Sequence, residues 1–205
     1  MVLETLISFV LATTILAISP GPDNIFVLTQ SLVNGAKAGL ATVFGLMLGC
    51  LFHTTLVAFG VSEIIKQHEN LFFLIKLFGA SYLLYLSYKV YTKESQIIFS
   101  TKNIIKRSSL ELFWKGFLMN VLNPKVTIFF FAFFPQFLFS NDLSEIFQFY
   151  VLGILFIIVS FIVFGLIAFL GGTISNYLAT NKNIGLYLKW SQIIVFVSIS
   201  IFIIL

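Results

Sequence analysis

The sequence predicts an all-α integral membrane protein with six transmembrane helices. Hydrophobic residues make up 59% of its 205 residues and charged residues only 10%, whereas about 25% of the residues of a soluble domain are charged. The mean hydropathy is +1.05. The apolar runs are long and uniform, which indicates helices in a lipid bilayer rather than the short alternating strands of a β-barrel.

Six apolar stretches have about the 20 residues that a helix needs to cross a bilayer. They are residues 3–33, 39–62, 70–91, 113–139, 147–171 and 188–205. We expect a single transmembrane domain over residues 1–205, with a solvated cytoplasmic loop over residues 92–112, for which an interfacial helix is the alternative. The last stretch carries no charge after Lys189 and is long enough to span, although a surface segment in a five-span protein is an alternative.

The distribution of Lys and Arg predicts that both termini lie outside. With the N-terminus outside, nine basic residues fall on the inner side and two near the outer side. The nine are Lys37, Lys89, Lys93, Lys102, Lys106, Arg107, Lys115, Lys182 and Lys189, and the two are Lys66 and Lys76. Because basic residues are enriched in cytoplasmic loops, this orientation is preferred over its inverse.

The first span is interrupted by Pro20, Gly21 and Pro22. Each proline lacks a backbone N–H, so in a helix the two would leave the carbonyls of Leu16 and Ile18 without donors, and the glycine adds flexibility. A broken backbone within a membrane must be satisfied by protein or water. The break therefore predicts a polar site inside the helix bundle.

Asp23 follows this break, about 20 residues into the first span and below the outer surface. A carboxylate at that depth is costly unless it is paired, hydrated or protonated. It is expected to hold a substrate ammonium group or to carry a proton. The alternative is that Asp23 caps the helix that begins near Asn24.

The fourth span has a second break at Asn123, Pro124 and Lys125. Pro124 cannot donate to the carbonyl of Asn120, which we expect to face a ligand or water. Lys125 lies about 12 residues into the span, too deep for its ammonium to reach either interface easily.

The two breaks fall at corresponding places if the chain is two three-helix repeats, residues 1–91 and 113–205. An odd number of spans makes such repeats inverted, and paired broken helices mark the midplane site of many transporters. We hypothesise that Asp23 and Lys125 neutralise each other across the repeat interface. A zwitterionic amino acid could replace that pair with two new ones, or its carboxylate could bind backbone donors after Pro22.

Other polar side chains share helix faces with these residues. Asn120, Asn123 and Thr127 form one group, and Asp23 and Gln30 another. Asn24 and Gln136 are weaker site candidates, for which hydrogen bonding between helices is the favoured role. His53 could relay protons, but a neutral packing role is the favoured interpretation.

Small residues recur at close-packing spacing along the second span. They are Gly35, Gly39, Ala41, Gly45 and Gly49. The row is either a packing face within one chain, which we favour, or the contact of a homodimer.

Several function classes lack their motifs. Cys50 is the only cysteine, and the sequence has no Gly-x-Ser-x-Gly motif, no phosphate-binding loop and no cluster with metal-ligand spacing. We therefore expect no enzyme activity, metal or other cofactor. No basic face outside the spans indicates nucleic-acid binding.

The two proline motifs together resemble the LysE-type translocator family. They are Ser19 to Asp23, with the sequence SPGPD, and Gly116 to Lys125, with the sequence GFLMNVLNPK, followed by FFPQF at residues 133–137. The resemblance covers essentially the whole chain and is strongest to the homoserine/threonine exporter branch. It implies a secondary exporter of amino acids or close derivatives in the bacterial inner membrane, driven by the proton motive force. Relatives that move reducing equivalents have cysteines beside such prolines, and this chain has none there.

Other functions remain as alternatives. They are export of another small solute or of a cation, a membrane enzyme or thiol carrier, and a membrane subunit that transports nothing. A cation exporter would need more than one carboxylate within the membrane, and only Asp23 is clearly placed there.

Overall fold

A computed structural model describes residues 2–92, 107–174 and 183–205. The helices are α1 (Val2–Ile18), α2 (Pro22–Asn34), α3 (Ala36–Leu56), α4 (Ser62–Gln67), α5 (Glu69–Thr92), α6 (Ser109–Val121), α7 (Pro124–Ile128), α8 (Glu145–Phe169) and α9 (Ile184–Ile204). A π-helical segment, Val57–Val61, joins α3 to α4. A second one, Phe129–Phe133, follows α7 and continues into the 3₁₀ turn Phe134–Phe137.

The six predicted spans correspond to four continuous helices and two bent pairs. The continuous helices are Ala36–Ile64, Asn70–Thr92, Glu145–Phe169 and Ile184–Ile204. The pairs are Val2–Ile18 with Pro22–Asn34, bent by 60°, and Ser109–Val121 with Pro124–Phe137, bent by 51°. The prediction of an all-α membrane protein, with its first and fourth spans broken at prolines, is confirmed.

Some of the predictions are not tested by these helices. Residues 93–106, which hold most of the loop predicted over residues 92–112, lie outside the described residues, as does Lys182. The division into repeats 1–91 and 113–205 and the homodimer also stay predictions.

At the end of the loop, α6 begins at Ser109, a few residues before the predicted start of the span at 113. The reason is a capping box in which Ser108 and Glu111 bind each other's backbone N–H groups.

The two bends have the same local cause. After α1 the last helical N–H is that of Ser19, which donates to Ile15, and Pro20 cannot continue the pattern. The next helix begins at Pro22, where a proline costs no hydrogen bond. Likewise α7 begins at Pro124, directly after its capping residue Asn123.

Phenylalanine rings from the two bent spans and α8 form part of the hydrophobic core. Phe9 of α1 packs edge-on against Phe134 and Phe137, with ring centroids 5.2 and 5.3 Å apart. Phe156 of α8 lies against Phe130 at 4.9 Å. These contacts join α1, α8 and the segment after α7 on one side of the breaks.

The glycine row of α3 packs within the chain. A Cβ atom on Gly45 would collide with the carbonyl oxygen of Phe113, and one on Gly116 of α6 would collide with that of Thr42. A Cβ on Gly49 would overlap the side chain of Asn120. The two helices therefore touch through backbone atoms, which positions Asn120 against α3.

Replacement of Gly45 by alanine should destabilise the protein by about 1–3 kcal/mol, because a backbone carbonyl has to move to admit the methyl group. Thermal unfolding of the purified protein in detergent measures this. Gly165→Ala in α8 is the matched control, since a Cβ there meets nothing within 4 Å. Equal melting temperatures for the two variants would show that α3 and α6 do not need this contact.

Candidate functional site

A cavity lies where the two proline breaks meet. Its volume is about 20 Å³, which is room for about one water molecule. The polar side chains that line it are Asp23, Asn24, Cys50, Asn120, Asn123, Lys125 and Ser160. Five of the six predicted substrate-binding or coupling residues are thus brought together, as is Gly21 of the first break.

Asp23 is buried, with 5% of its surface exposed. One carboxylate oxygen, Oδ2, accepts a hydrogen bond of 2.8 Å from Asn123 Nδ2. The other, Oδ1, has no hydrogen-bond partner among the described residues. The residue that caps α2 is Gly21 and no side chain caps this helix, so the alternative of Asp23 as the cap is wrong. Asp23 therefore has one oxygen available to a ligand.

Lys125 is equally buried, but its ammonium group binds backbone rather than Asp23. Nζ donates hydrogen bonds of 2.8 Å each to the carbonyl oxygens of Leu16 and Ser19. The expected ion pair between Asp23 and Lys125 is not formed in this structure; Asn123 reaches the carboxylate instead. The prolines were predicted to free the carbonyls of Leu16 and Ile18. The ammonium group of Lys125 binds the carbonyl of Leu16 as one of its two acceptors, but its second acceptor is the carbonyl of Ser19 rather than that of Ile18.

Asn123 connects the two halves of the site. Its Oδ1 accepts a hydrogen bond of 3.1 Å from the backbone N–H of Lys125 and thereby caps α7. Its Nδ2 donates to Asp23 Oδ2 on α2. Because each end of the amide has a fixed partner, the side chain ties the second break to the first.

Asn24 stabilises the first break from the α2 side. Its Nδ2 donates a hydrogen bond of 2.7 Å to the carbonyl of Ala17, near the end of α1. A helix that continued through the break would satisfy this carbonyl with the N–H of Gly21. Asn24 therefore substitutes for a lost helical hydrogen bond and lines the cavity at the same time.

The backbone carbonyl of Asn120 is not free, contrary to expectation. It accepts a hydrogen bond of 3.0 Å from Asn123 N–H and lies 3.4 Å from Nε2 of His53. The Asn120 side chain lies beside Cys50, with Nδ2 3.6 Å from the sulfur. Pro124 has no N–H to donate to this oxygen. The tight turn after α6 brings the N–H of Asn123 to it instead.

His53 is buried behind the cavity wall. Its ring stacks on Phe130, with the ring centroids 5.3 Å apart. Its Nε2 atom faces the backbone carbonyl oxygen of Asn120, and since a carbonyl only accepts hydrogen bonds, Nε2 is the nitrogen that donates. These contacts agree with a packing role, the favoured interpretation of the sequence.

Gln30 and Gln136 lie outside the cavity. Gln30 is buried two turns beyond Asp23 and accepts a hydrogen bond of 3.0 Å from Asn34. Gln136 donates to the carbonyls of Ala132 and Ile203, which links it to α9. The structure thus separates Gln30 from the other predicted site residues.

Helix α8 contributes a wall of the cavity that was not predicted from the sequence. Phe156, Ser160 and Phe164 lie one turn apart and face the cavity. Ser160 Oγ is buried with no hydrogen-bond partner among the described residues. A signal existed, because Ser160 is the only hydroxyl-bearing residue between Tyr150 and Leu170.

Comparison with known proteins gives the same family as the two motifs. An uncharacterised membrane protein of Bacillus subtilis, YrhP, is 32% identical over 147 residues, which cover 68% of this chain and 70% of YrhP. Leucine efflux proteins of Salmonella choleraesuis and Salmonella typhimurium are each 27% identical over 179 residues, 86% of this chain and 84% of theirs. No solved structure matches. The model of the LysE type translocators matches residues 14–204, and the chain therefore belongs to that family.

Proposed function

We propose that the protein exports an amino acid or a close derivative from the cytoplasm across the bacterial inner membrane. Membership of the LysE type translocators and the names of the leucine efflux relatives support an amino-acid substrate. The observation that carries the proposal is the buried carboxylate of Asp23, which keeps one oxygen free where two broken spans meet.

In the proposed complex, Asp23 Oδ1 accepts a hydrogen bond from the substrate ammonium group. An ionic hydrogen bond in a site of this kind is stronger than a neutral one, and it also relieves an unpaired buried charge. Ser160 Oγ, which also lines the cavity and is buried without a hydrogen-bond partner among the described residues, is a second acceptor.

The substrate carboxylate is expected at the start of α2. The backbone N–H groups of Asp23 and Asn24 lie in its first turn, where a helix has no internal acceptors and its dipole favours an anion. This is the second of the two alternatives drawn from the sequence. We prefer it because the Lys125 ammonium already binds two carbonyls.

Alternating access fits the small size of the cavity. A volume of about 20 Å³ is far too small for an amino acid, so substrate has to enter a different conformation. At the two bends, of 60° and 51°, the backbone hydrogen bonds of the helix are already interrupted, so the helix segments can move there without breaking more of them. The proton motive force is the proposed energy source. In the proposed orientation, both the N-terminus and the C-terminus lie outside.

Export of a cation is less well supported. A site for a free cation in a membrane is expected to have more than one acidic ligand. Asp23 is the only buried carboxylate among the side chains that the structure describes.

Resistance to toxic amino-acid analogues tests the proposed function. Expression in a bacterial strain that lacks its own exporters should raise the inhibitory concentration of at least one analogue and lower the intracellular pool of the matching amino acid. An Asp23→Asn variant expressed at the same level serves as the control. Unchanged sensitivity to every analogue, with the protein present in the membrane, would contradict the proposal.

A further inference from the structure

The Lys125 ammonium group lies in a site made of carbonyl oxygens at the broken end of α1. Nζ is 2.8 Å from the carbonyl oxygens of both Leu16 and Ser19. On the third side, a Cβ atom built on Gly21 would lie 3.8 Å from Nζ. The lysine is 7% exposed and lines the same cavity as Asp23. A positive charge is thus held by the C-terminal end of one half-helix, beside a carboxylate on the other.

This arrangement is chemically a site for a monovalent cation. Carbonyl oxygens at the end of a half-helix carry the negative end of its dipole. In transporters with discontinuous helices, such unwound carbonyls and helix ends coordinate the coupling ion. Here the ammonium group belongs to the chain itself and reaches the site from α7, in the other half of the molecule.

We propose that Lys125 supplies a built-in cation to this carbonyl site, so that the protein binds no free Na⁺ or K⁺ there. The part that concerns transport rests on the proposed function, and the site itself does not. If the built-in charge replaces a free ion, amino-acid transport proceeds without Na⁺ or K⁺. Removal of the lysine side chain then leaves a vacant site that a free cation or a small amine can fill.

An ordinary capping role for Lys125 gives a different expectation. Lysines often donate to the last carbonyls of a helix, and there the hydrogen bond stabilises the helix end. The loss of such a cap lowers stability by the same amount in Na⁺, in K⁺ and in a cation too large to enter, and only an amine that restores the N–H donors reverses it. A cation site, by contrast, makes the stability of the truncated protein depend on which cation is present.

Thermal unfolding of the purified protein in detergent distinguishes these two roles. Melting temperatures are measured at constant ionic strength in NaCl, KCl, propylammonium chloride and N-methylglucamine chloride, the last being too large for the site. Wild type should melt at the same temperature in all four. Lys125→Ala should melt lower in N-methylglucamine and recover by about 2–4 °C in Na⁺ or K⁺, through preferential binding to the folded state. Recovery in propylammonium alone is the result that a lost cap predicts.

Lys125→Met is the matched control, because its long apolar side chain fills the space without a charge. Its melting temperature should not depend on the cation. The proposal is overturned if Lys125→Ala melts at one temperature in NaCl, KCl and N-methylglucamine chloride, or if Na⁺ or K⁺ stabilises wild type relative to N-methylglucamine.

Transport of labelled leucine into wild-type proteoliposomes gives a second measurement that needs no variant to fold. Its rate should be the same with Na⁺, K⁺ or N-methylglucamine outside, and a requirement for Na⁺ or K⁺ overturns the proposal. If wild type transports none of the amino acids tested but Lys125→Ala shows the predicted cation response, the proposed function fails and the cation site stands.

Discussion

Asp23→Asn should reduce amino-acid transport by about 10–100-fold while the protein stays folded. The asparagine oxygen can still accept the hydrogen bond that Asp23 Oδ2 receives from Asn123 Nδ2. The negative charge that is proposed to hold the substrate ammonium group is lost, and a hydrogen bond to a charged group contributes about 1.5–3 kcal/mol. Initial rates of labelled leucine uptake into proteoliposomes, at matched protein content, measure the effect.

Asp142→Asn is the control for this variant, since Asp142 is exposed in the loop after the 3₁₀ turn and does not line the cavity. It should transport at the wild-type rate. Wild-type transport by Asp23→Asn would mean that its carboxylate contacts neither the substrate nor the coupling proton.

Asn123→Ala should destabilise the fold by about 2–4 kcal/mol and abolish transport. The change removes the cap of α7, which costs about 1 kcal/mol. It also leaves the buried Asp23 carboxylate without its donor, which costs about 1–3 kcal/mol more. The measurements are thermal or denaturant unfolding in detergent and leucine transport in proteoliposomes.

A double-mutant cycle separates these two contributions. Because Asp23→Asn removes the charge, the cost of Asn123→Ala should be smaller in that background, by about 1–2 kcal/mol. Asn141→Ala, in the exposed loop before α8, is the neutral control. Equal costs of Asn123→Ala in both backgrounds would show that Asn123 acts only as a helix cap.

The positions of the helices could be predicted because lipid imposes a simple rule on sequence. Apolar length predicts a span, and each predicted span lies within a few residues of the observed helix or bent pair. The bends were predictable because Pro20, Pro22 and Pro124 lack the donors that a continuous helix needs. The π-helical segments Val57–Val61 and Phe129–Phe133 have no such marker, since they contain only apolar residues and their hydrogen bonding depends on packing.

Five of the six predicted site residues line the cavity, but the contacts among them were not predicted. Asp23 and Lys125 could be identified from their charges and from the prolines beside them, because a charged side chain and a broken helix are both costly within a membrane. Sequence alone could not show that Asn123 rather than Lys125 binds Asp23, since either side chain can donate a hydrogen bond to the buried carboxylate. Helix spacing placed Gln30 beside Asp23, but the helix rises about 10 Å in seven residues, which takes Gln30 past the cavity.

The residues of α8 were missed for a different reason. In the sequence Phe156 and Phe164 look like any lipid-facing pair, and it is the packing of α8 in the folded protein that places them against the cavity. Ser160 was the one polar marker on that face. Whether an apolar side chain of α8 faces the cavity or the lipid depends on tertiary packing, and a uniformly apolar helix has no periodicity that would reveal it.

Counterflow in proteoliposomes tests most directly whether the protein transports amino acids through the site at Asp23. Vesicles loaded with one unlabelled amino acid at a time, with leucine first in the panel, receive the same labelled compound outside, with and without a pH gradient. Wild type should accumulate label transiently for at least one amino acid, and Asp23→Asn should not. The proposed function is contradicted if wild type exchanges no amino acid faster than protein-free vesicles, or if Asp23→Asn exchanges as fast as wild type.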